Sequence, residues 1–118
     1  MYALAEKLFN EHSDIKNQTI DKALVFMRKN YEKPSLLLKE IAEHCAISEI
    51  YLHKLFKKHL ATTPFRVLTD IRMQKAVMMI EEKRSLKEIA YNVGYGDVYQ
   101  FSRAYKKYFG YAPTMKGK

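Results

Sequence analysis

Two groups of four side chains recur in this chain at one helical spacing, i, i+3, i+4 and i+7. The groups are Ile50, His53, Lys54 and Lys57, and then Tyr99, Ser102, Arg103 and Lys106. Side chains at this spacing share one face of an α-helix. Ammonium and guanidinium groups pair with anions, and a guanidinium can also hold two hydrogen-bond acceptors at once. The chemistry that these residues favour is therefore recognition of an anionic partner, and not bond making or breaking.

The elements that must position these groups belong to an internal repeat. The pentapeptide Leu-Lys-Glu-Ile-Ala occurs at Leu38–Ala42 and again at Leu86–Ala90. The likeness continues beyond both copies, with one residue, Gly96, inserted in the second. Such a repeat indicates a duplicated supersecondary unit, while a solenoid needs at least about three copies to bury a continuous core. We therefore predict two small helical units joined by one connector.

Hydrophobic spacing and capping residues predict an all-α fold of about seven helices. The predicted helices cover about residues 20–31, 37–45, 48–59, 64–82, 85–94 and 97–109, with a truncated seventh from Pro113. Ser48 and Asp97 have side chains that cap helix N-termini. Ser85 and Glu88 have the spacing of a capping box. Gly94 can adopt the left-handed conformation that ends a helix.

Each copy is predicted to place its second helix with one apolar face inward and one face free. The inward residues are Tyr51, Leu52, Leu55 and Phe56 in the first copy and Phe101, Tyr105, Tyr108 and Phe109 in the second. Helix, tight turn and second helix form the helix-turn-helix motif, whose second helix lies in the DNA major groove. Both free faces carry the polar and basic groups described above, which favours DNA as the partner.

The positive charge lies in one part of the chain. Residues 1–47 carry seven Lys or Arg and seven Asp or Glu. Residues 48–118 carry fourteen against six, which accounts for the whole net charge of +8. A concentrated basic excess is typical of nucleic-acid binders. The alternative is a basic helical module that binds an acidic protein or a membrane surface. A structured-RNA binder is disfavoured, because such proteins usually present stacking aromatics on a sheet.

Other functions find little support in the sequence. The four histidines lack metal-ligand spacing, and Cys45, the single cysteine, has no partner for an internal disulfide. Glycine-rich phosphate loops, paired carboxylates and nucleophile motifs are not seen. We therefore expect no enzymatic activity, no catalytic residues, no metal and no cofactor. Without a signal peptide or an apolar run of about 18 residues, the sequence predicts a cytoplasmic protein with no membrane partner.

Three motifs make the chain resemble a known family over about Ile20 to Pro113. They are Asn30-Tyr31-Glu32-Lys33-Pro34, Arg72-Met73-x-x-Ala76 and Ile89-Ala90-x-x-x-Gly94-Tyr95-x-Asp97-x-x-x-Phe101-Ser102-Arg103-x-Tyr105-Lys106-Lys107-x-x-Gly110-x-x-Pro113. Together they resemble the C-terminal DNA-binding domain of AraC/XylS-type bacterial transcription regulators. The resemblance implies seven helices, sequence-specific binding of double-stranded promoter DNA, and RNA polymerase as a further partner.

The resemblance also implies a division of the chain. We predict a first helix-turn-helix lobe at residues 18–63, a linker helix at 64–82 and a second lobe at 83–118. A linker of about 18 residues spans about 27 Å. With the width of the lobes, it can set two recognition helices about 34 Å apart, in adjacent major grooves. Residues 1–17 lie outside the resemblance, as an N-terminal extension or a linker from a sensory or dimerisation domain missing from this chain.

Residue roles follow as hypotheses. The predicted DNA-binding set is Ser48, Ile50, His53, Lys54, Lys57, Val98, Tyr99, Gln100, Ser102, Arg103, Lys106 and Lys107. Arg103 is the best candidate for bidentate contact with guanine, followed by His53 and Lys54. Ile50 suits a thymine methyl group. Lys57, Lys106 and Lys107 suit contacts with phosphates. Tyr99 and Ser102 suit contacts with either phosphates or bases.

Three positions depart from the family pattern. Ala61 stands where the family usually has glycine, as Gly110 does in the second copy; if that position has positive φ, alanine costs about 1 kcal/mol. Gln100 replaces a common aromatic residue, and either contacts adenine or closes a capping box with Asp97. The seventh helix lacks its usual tyrosine-arginine ending, so we expect a shortened or frayed end.

Overall fold

The computed structural model describes residues 18–115, and all regular structure within that range is helical. The α-helices are α1 at residues 18–30, α2 at Leu38–His44, α3 at Glu49–Leu60, α4 at Pro64–Glu81, α5 at Leu86–Asn92 and α6 at Val98–Phe109. One 3-10 turn, Pro113–Met115, follows α6. The all-α prediction is confirmed. The predicted count of seven is close, because the seventh element is this single turn.

The chain forms two compact units, each containing one copy of the repeat. The described part of the first unit is residues 18–28 with Leu37–Pro64, which includes α2 and α3. The second unit is Lys29–Leu36 with residues 65–115, which includes α5 and α6. All of α4 after its first residue belongs to the second unit.

The core of the first unit is built from three helices. Its fully or nearly fully buried side chains are Ile20, Ala23 and Met27 of α1, Ile41 and Ala42 of α2 with the adjoining Cys45, and Leu52, Leu55 and Phe56 of α3. Their spacing of three and four residues gives each helix one apolar stripe. The Phe26 and His44 rings also stack, with centroids 4.2 Å apart. Helix α3 is thereby held by one face only.

The core of the second unit follows the same plan with more aromatic residues. It contains Met73 and Ala76 of α4, Ile89 and Ala90 of α5, Val93, and Phe101 and Tyr105 of α6. The Tyr105 ring lies 5.8 Å from that of Phe101 and 4.5 Å from that of Phe109, centroid to centroid. Tyr108 and Phe109 pack against the core from its edge. The inward face predicted for α6 is therefore confirmed.

Side-chain caps fix where three helices begin. Ser48 Oγ accepts a hydrogen bond from the Tyr51 N–H at 3.0 Å. Ser85 Oγ accepts from the Glu88 N–H at 3.2 Å, and Asp97 Oδ1 accepts from the Gln100 N–H at 2.8 Å. Such a cap stabilises a helix by about 1 kcal/mol, because it satisfies an N–H group that has no partner within the helix. These caps place the first turns of α3 and α6 as the sequence predicted.

Left-handed residues end the helices that carry the repeat. Ala46 has φ of 59° and Gly94 has φ of 98°, at matching positions after α2 and α5. Ala61 has φ of 57° and Gly110 has φ of 89°, at matching positions after α3 and α6. The left-handed conformation predicted for Gly94 is confirmed. Ala61 does require positive φ, so the expected cost of about 1 kcal/mol applies there.

Candidate nucleic-acid interface

The first candidate surface lies on α3 and its N-cap, and we call it the α3 surface. It consists of Ser48, Ile50, His53, Lys54 and Lys57, all of them exposed. Ile50 is 71% exposed, although it is one of the most apolar side chains in the chain. Because Leu52, Leu55 and Phe56 face the core, the α3 surface is the opposite face of the helix. The structure brings the predicted group together.

One residue of α3 was placed on the wrong face by the sequence analysis. Tyr51 was predicted to join the apolar stripe, but it is 40% exposed. At about 100° per residue, Tyr51 lies roughly 90° around the helix from the centre of the buried stripe. The buried stripe of α3 is narrow, with Leu52, Leu55 and Phe56 as its members, so Tyr51 lies at its edge, beside the α3 surface.

The second candidate surface lies on α6, and we call it the α6 surface. Its exposed members are Tyr99, Gln100, Arg103, Lys106 and Lys107, and its half-buried members are Val98 and Ser102. Tyr99 is 78% exposed, at the position that matches Ile50 in the repeat. Arg103 matches Lys54 in the same way. The two units therefore present the same kind of face from the same element.

Gln100 lies at the turn that precedes α6. Its main-chain N–H is capped by Asp97, which explains why this helix begins where it does. Its side-chain amide folds over the inserted Gly96, where a Cβ atom would lie 3.8 Å from Oε1 and 3.9 Å from Nε2. The Gln100 side chain is exposed, and its contact with adenine stays a prediction.

A groove beside the α6 surface was missed by the sequence analysis. It has a volume of about 380 Å³ and lies between α4 and α6, lined by Phe65, Arg66, Thr69, Tyr95, Ala104, Lys107 and Tyr108. Arg66 Nε lies 3.3 Å from Asp70 Oδ1. The Tyr108 hydroxyl donates to the same oxygen at 2.6 Å, and this hydrogen bond to Asp70 raises the pKa of Tyr108. The available signal was Phe65 next to Arg66 in the first turn of α4.

Metal sites and membrane-spanning helices are absent from the described residues. Between residues 18 and 115, no three His, Cys, Asp or Glu side chains are arranged to hold a metal ion. Over the same part of the chain, no helix is both long and apolar enough to cross a bilayer. The thiol of Cys45 is buried, its Sγ lies 3.8 Å from the Thr19 carbonyl oxygen, and burial raises its pKa.

Comparison with known proteins identifies the class of this fold. Residues 41–116 match a family model described as a helix-turn-helix domain. The chain is 35% identical over 113 residues to the lactose operon transcription activator of Staphylococcus xylosus. That match covers 92% of this chain but only 40% of the activator, so the chain spans less than half the length of this relative.

Solved structures agree with this assignment. The C-terminal domain of AraT, a response regulator from Geobacillus stearothermophilus, superposes with a TM-score of 0.78 and 32% identity, covering 81% of this chain and 80% of that one. The DNA-binding domain of AdpA, solved with a target DNA, superposes with a TM-score of 0.73, covering 80% and 85% of the two chains. At 15% identity, the AdpA likeness shows the fold alone.

These relatives are regulators of transcription, and they are DNA-binding proteins rather than enzymes. The alternative of a protein-interaction or membrane-surface module is not favoured by any of them. The motifs at residues 89–113, the duplicated unit and the exposed surfaces on α3 and α6 are all accounted for by one family. The chain belongs to the AraC/XylS family of helix-turn-helix transcription regulators.

Proposed function

We propose that the two units bind one promoter duplex, with α3 and α6 inserted in adjacent major grooves. The observation that carries this proposal is the match between the α3 and α6 surfaces. Both lie on the second helix of the motif, both are exposed, and both put a cation at the same repeat position, Lys54 and Arg103. Since α4 has 18 residues, it is about 27 Å long. With the width of the two units, this length suits recognition helices about 34 Å apart, one turn of DNA.

Different side chains take different roles in this proposal. Arg103 contacts guanine O6 and N7 through two N–H groups, and Lys54 and His53 contact bases from α3. Ile50 packs against a thymine methyl group. Gln100 either contacts adenine or closes a capping box with Asp97. The other members approach the sugar-phosphate backbone at the edges of each groove: Ser48, Lys57, Val98, Tyr99, Ser102, Lys106 and Lys107. The side chains proposed to contact bases differ between the two surfaces, with Ile50, His53 and Lys54 on α3 and Arg103 on α6. The expected site is therefore two unlike boxes and not a palindrome.

The wider setting of the protein is also a proposal. The chain covers 40% of the Staphylococcus xylosus activator, which leaves room in such regulators for a sensory or dimerisation domain. We propose that the chain is the DNA-binding part of a longer regulator of this kind. It would act in the bacterial cytoplasm, where promoter DNA lies, and would engage RNA polymerase there.

Selection of duplexes from a random DNA library tests the arrangement. The whole chain is used at near-physiological salt, because the charge contribution to binding falls steeply as salt rises. We expect enrichment of two different boxes about 10 base pairs apart, centre to centre. Enrichment of one box alone would refute the two-groove arrangement. Binding without enrichment would refute sequence recognition and leave only attraction between charges.

The role of Arg103 is tested by comparing Arg103→Ala with a variant that loses one positive charge at another exposed position. We expect a loss of about 1–3 kcal/mol in binding free energy, with relaxed preference at one base pair of the selected site. Arg28→Ala is the control, since Arg28 is also an exposed arginine but lies on α1, outside the α3 and α6 surfaces. Binding is measured by titration against duplexes that carry each base pair in turn. A uniform loss over all of these duplexes would make Arg103 a phosphate contact.

A further inference from the structure

The second unit contains a buried cation that the proposed DNA contacts do not use. Arg72 of α4 is only 7% exposed. Burial lowers the pKa of Arg72, an effect that the neighbouring Tyr95 partly opposes. Removing a guanidinium from water is unfavourable unless its N–H groups are hydrogen bonded. The partners of Arg72 therefore show what the residue holds in place.

On one side, Arg72 binds the segment that follows α1. Its Nε donates to the Tyr31 carbonyl oxygen at 2.9 Å, and its Nη2 donates to the Lys33 carbonyl oxygen at 2.9 Å. A planar guanidinium can satisfy two acceptors at fixed directions, which a lysine ammonium cannot do with the same geometry. These bonds attach residues 31–33 to α4 within the second unit.

On the other side, Arg72 contacts the turn between α5 and α6. Its Cζ lies 5.5 Å from the centre of the Tyr95 ring. Gly94 approaches so closely that a Cβ atom there would lie 2.7 Å from Arg72 Nε and 3.1 Å from Cζ. A Cβ at Gly94 would also collide with the Tyr31 carbonyl oxygen. The turn, the guanidinium and the segment after α1 are thus packed in one stack.

The stack leads directly to the recognition helix. The Tyr95 ring packs on the Phe101 ring of α6, with centroids 5.8 Å apart. Phe101 is fully buried and stands two residues before Arg103, whose side chain is exposed on the α6 surface. A shift of the Gly94–Tyr95 turn would therefore rotate or translate α6, and would move Arg103 with it.

We propose that Arg72 is a positioning residue for base recognition by α6. It fixes the turn between α5 and α6 against α4, and so sets where Arg103 meets the base edge. This inference rests on the proposed role of the α6 surface. Arg72 itself is buried and makes no contact with DNA in this account. Its contribution is geometric, because bidentate contact with guanine tolerates little displacement of the guanidinium.

A double-mutant cycle on the whole chain tests the inference. The duplexes are those selected by the wild-type protein, and the variants are Arg72→Met, Arg103→Ala and the combination of both. We expect Arg72→Met to weaken binding about 5- to 150-fold, the range for loss of one good base contact. In its presence, Arg103→Ala should then weaken binding by less than about threefold, because the contact is already lost.

Two further variants separate geometry from charge. Arg72→Lys keeps the charge but not the planar fork, so it should weaken binding nearly as much as Arg72→Met. Lys83→Met removes an exposed charge from the turn that follows the same helix and should change binding by less than about threefold. Full binding by Arg72→Lys would overturn the inference in favour of simple charge attraction. Additive effects of Arg72→Met and Arg103→Ala would overturn it as well.

The folded state of each variant is checked by circular dichroism and by hydrogen exchange at residues 94–97. If Arg72→Met does not fold, the same cycle is run with Arg72→Lys, and the same criterion of additivity applies. If wild-type protein shows no base preference, the proposed function fails. If it shows one and the cycle is additive, the role of Arg72 fails alone.

Discussion

The two helix-turn-helix units build the same turn with different residues. After α2, the Ile47 N–H donates to the Ala42 carbonyl oxygen at 3.1 Å; after α5, the Tyr95 N–H donates to that of Ala90 at 2.9 Å. The left-handed residue within this turn is Ala46 in the first unit and Gly94 in the second. The same backbone geometry is therefore reached with and without a side chain.

The difference shows that surroundings, and not the turn, decide where glycine is needed. Ala46 is exposed, so its methyl group points into open surface. Gly94 is buried against Arg72 and the Tyr31 carbonyl oxygen, so a methyl group has no room. The first unit accepts a modest conformational cost at its turn. The second unit uses glycine because its turn is packed into the stack around Arg72.

Replacing Gly94 by alanine should have the largest effect on this comparison. The new methyl group would meet a main-chain carbonyl that cannot move aside, in addition to the cost of positive φ. We expect a loss of about 3–5 kcal/mol in the free energy of unfolding, as for other severe steric conflicts in a core. Urea denaturation followed by circular dichroism measures it.

The matched change in the first unit is Ala46→Gly. It should alter the free energy of unfolding by less than about 1 kcal/mol, because it removes conformational cost but adds entropy to the unfolded chain. A similar small effect for Gly94→Ala would show that the stack around Arg72 yields easily, and would contradict the tight packing of Gly94 against Arg72 and the Tyr31 carbonyl oxygen.

This pair also shows how far the sequence could predict the fold. The left-handed conformation of Gly94 followed from its place at the end of α5, as the caps at Ser48 and Asp97 followed from their residue types. The contact of Gly94 with Tyr31 joins residues far apart in the chain, so no local pattern revealed it. Arg72 was recognised only as part of a family motif, because a buried arginine does not stand out among the surface cations of a basic chain.

The exposure of the two candidate surfaces was predicted better than that of the residues beside them. Every member of the α3 and α6 surfaces lies exposed or half-buried, because helical spacing alone separates the free face from the core face. Tyr51 was misplaced because the spacing does not tell how wide a stripe the neighbouring helices will cover. Arg66 and the groove beside α6 were missed because they depend on the packing of α4 on α6.

A second contrast between the units concerns one buried hydroxyl and predicts a dependence on pH. Phe56 and Tyr105 hold the same repeat position and are both fully buried. Burial, with a smaller contribution from Tyr111, raises the pKa of Tyr105 from 10.0 to about 12. The unfolded chain therefore loses this proton first as pH rises, so stability should be complete below pH 10 and should fall between pH 10 and about 12. At about pH 12, this difference in pKa should have lowered the free energy of unfolding by about 3 kcal/mol.

Tyr105→Phe should remove this alkaline loss while keeping the ring. Its hydroxyl has no hydrogen-bond partner within the described structure, so its removal should cost little at neutral pH. Urea denaturation of wild type and variant at several pH values from 7 to 11 makes the comparison, with Tyr91→Phe, at a tyrosine that is 75% exposed, as the control for tyrosine ionisation in general. If the free energy of unfolding fell equally with pH for wild type and Tyr105→Phe, burial would not protect the Tyr105 hydroxyl from ionisation.

The smallest expected effects are at the ends of the recognition helices, and they should have opposite signs in the two units. The Ala61 N–H donates to the Lys57 carbonyl oxygen at 3.1 Å, and the Gly110 N–H donates to that of Lys106 at 2.7 Å, so the two ends have one geometry. Both residues are left-handed and exposed, and a Cβ atom at Gly110 would meet nothing within 4 Å.

Gly110→Ala should lower the free energy of unfolding by about 1 kcal/mol, from conformation alone. Ala61→Gly should raise the free energy of unfolding by about 0.5–1 kcal/mol, reduced by the greater freedom of glycine in the unfolded chain. Thermal and urea unfolding of both single variants and of the double variant measure these changes, which should add because the residues belong to different units. A loss of stability for Ala61→Gly would mean that the methyl group of Ala61 contributes packing, and the equivalence of the two helix ends would be broken.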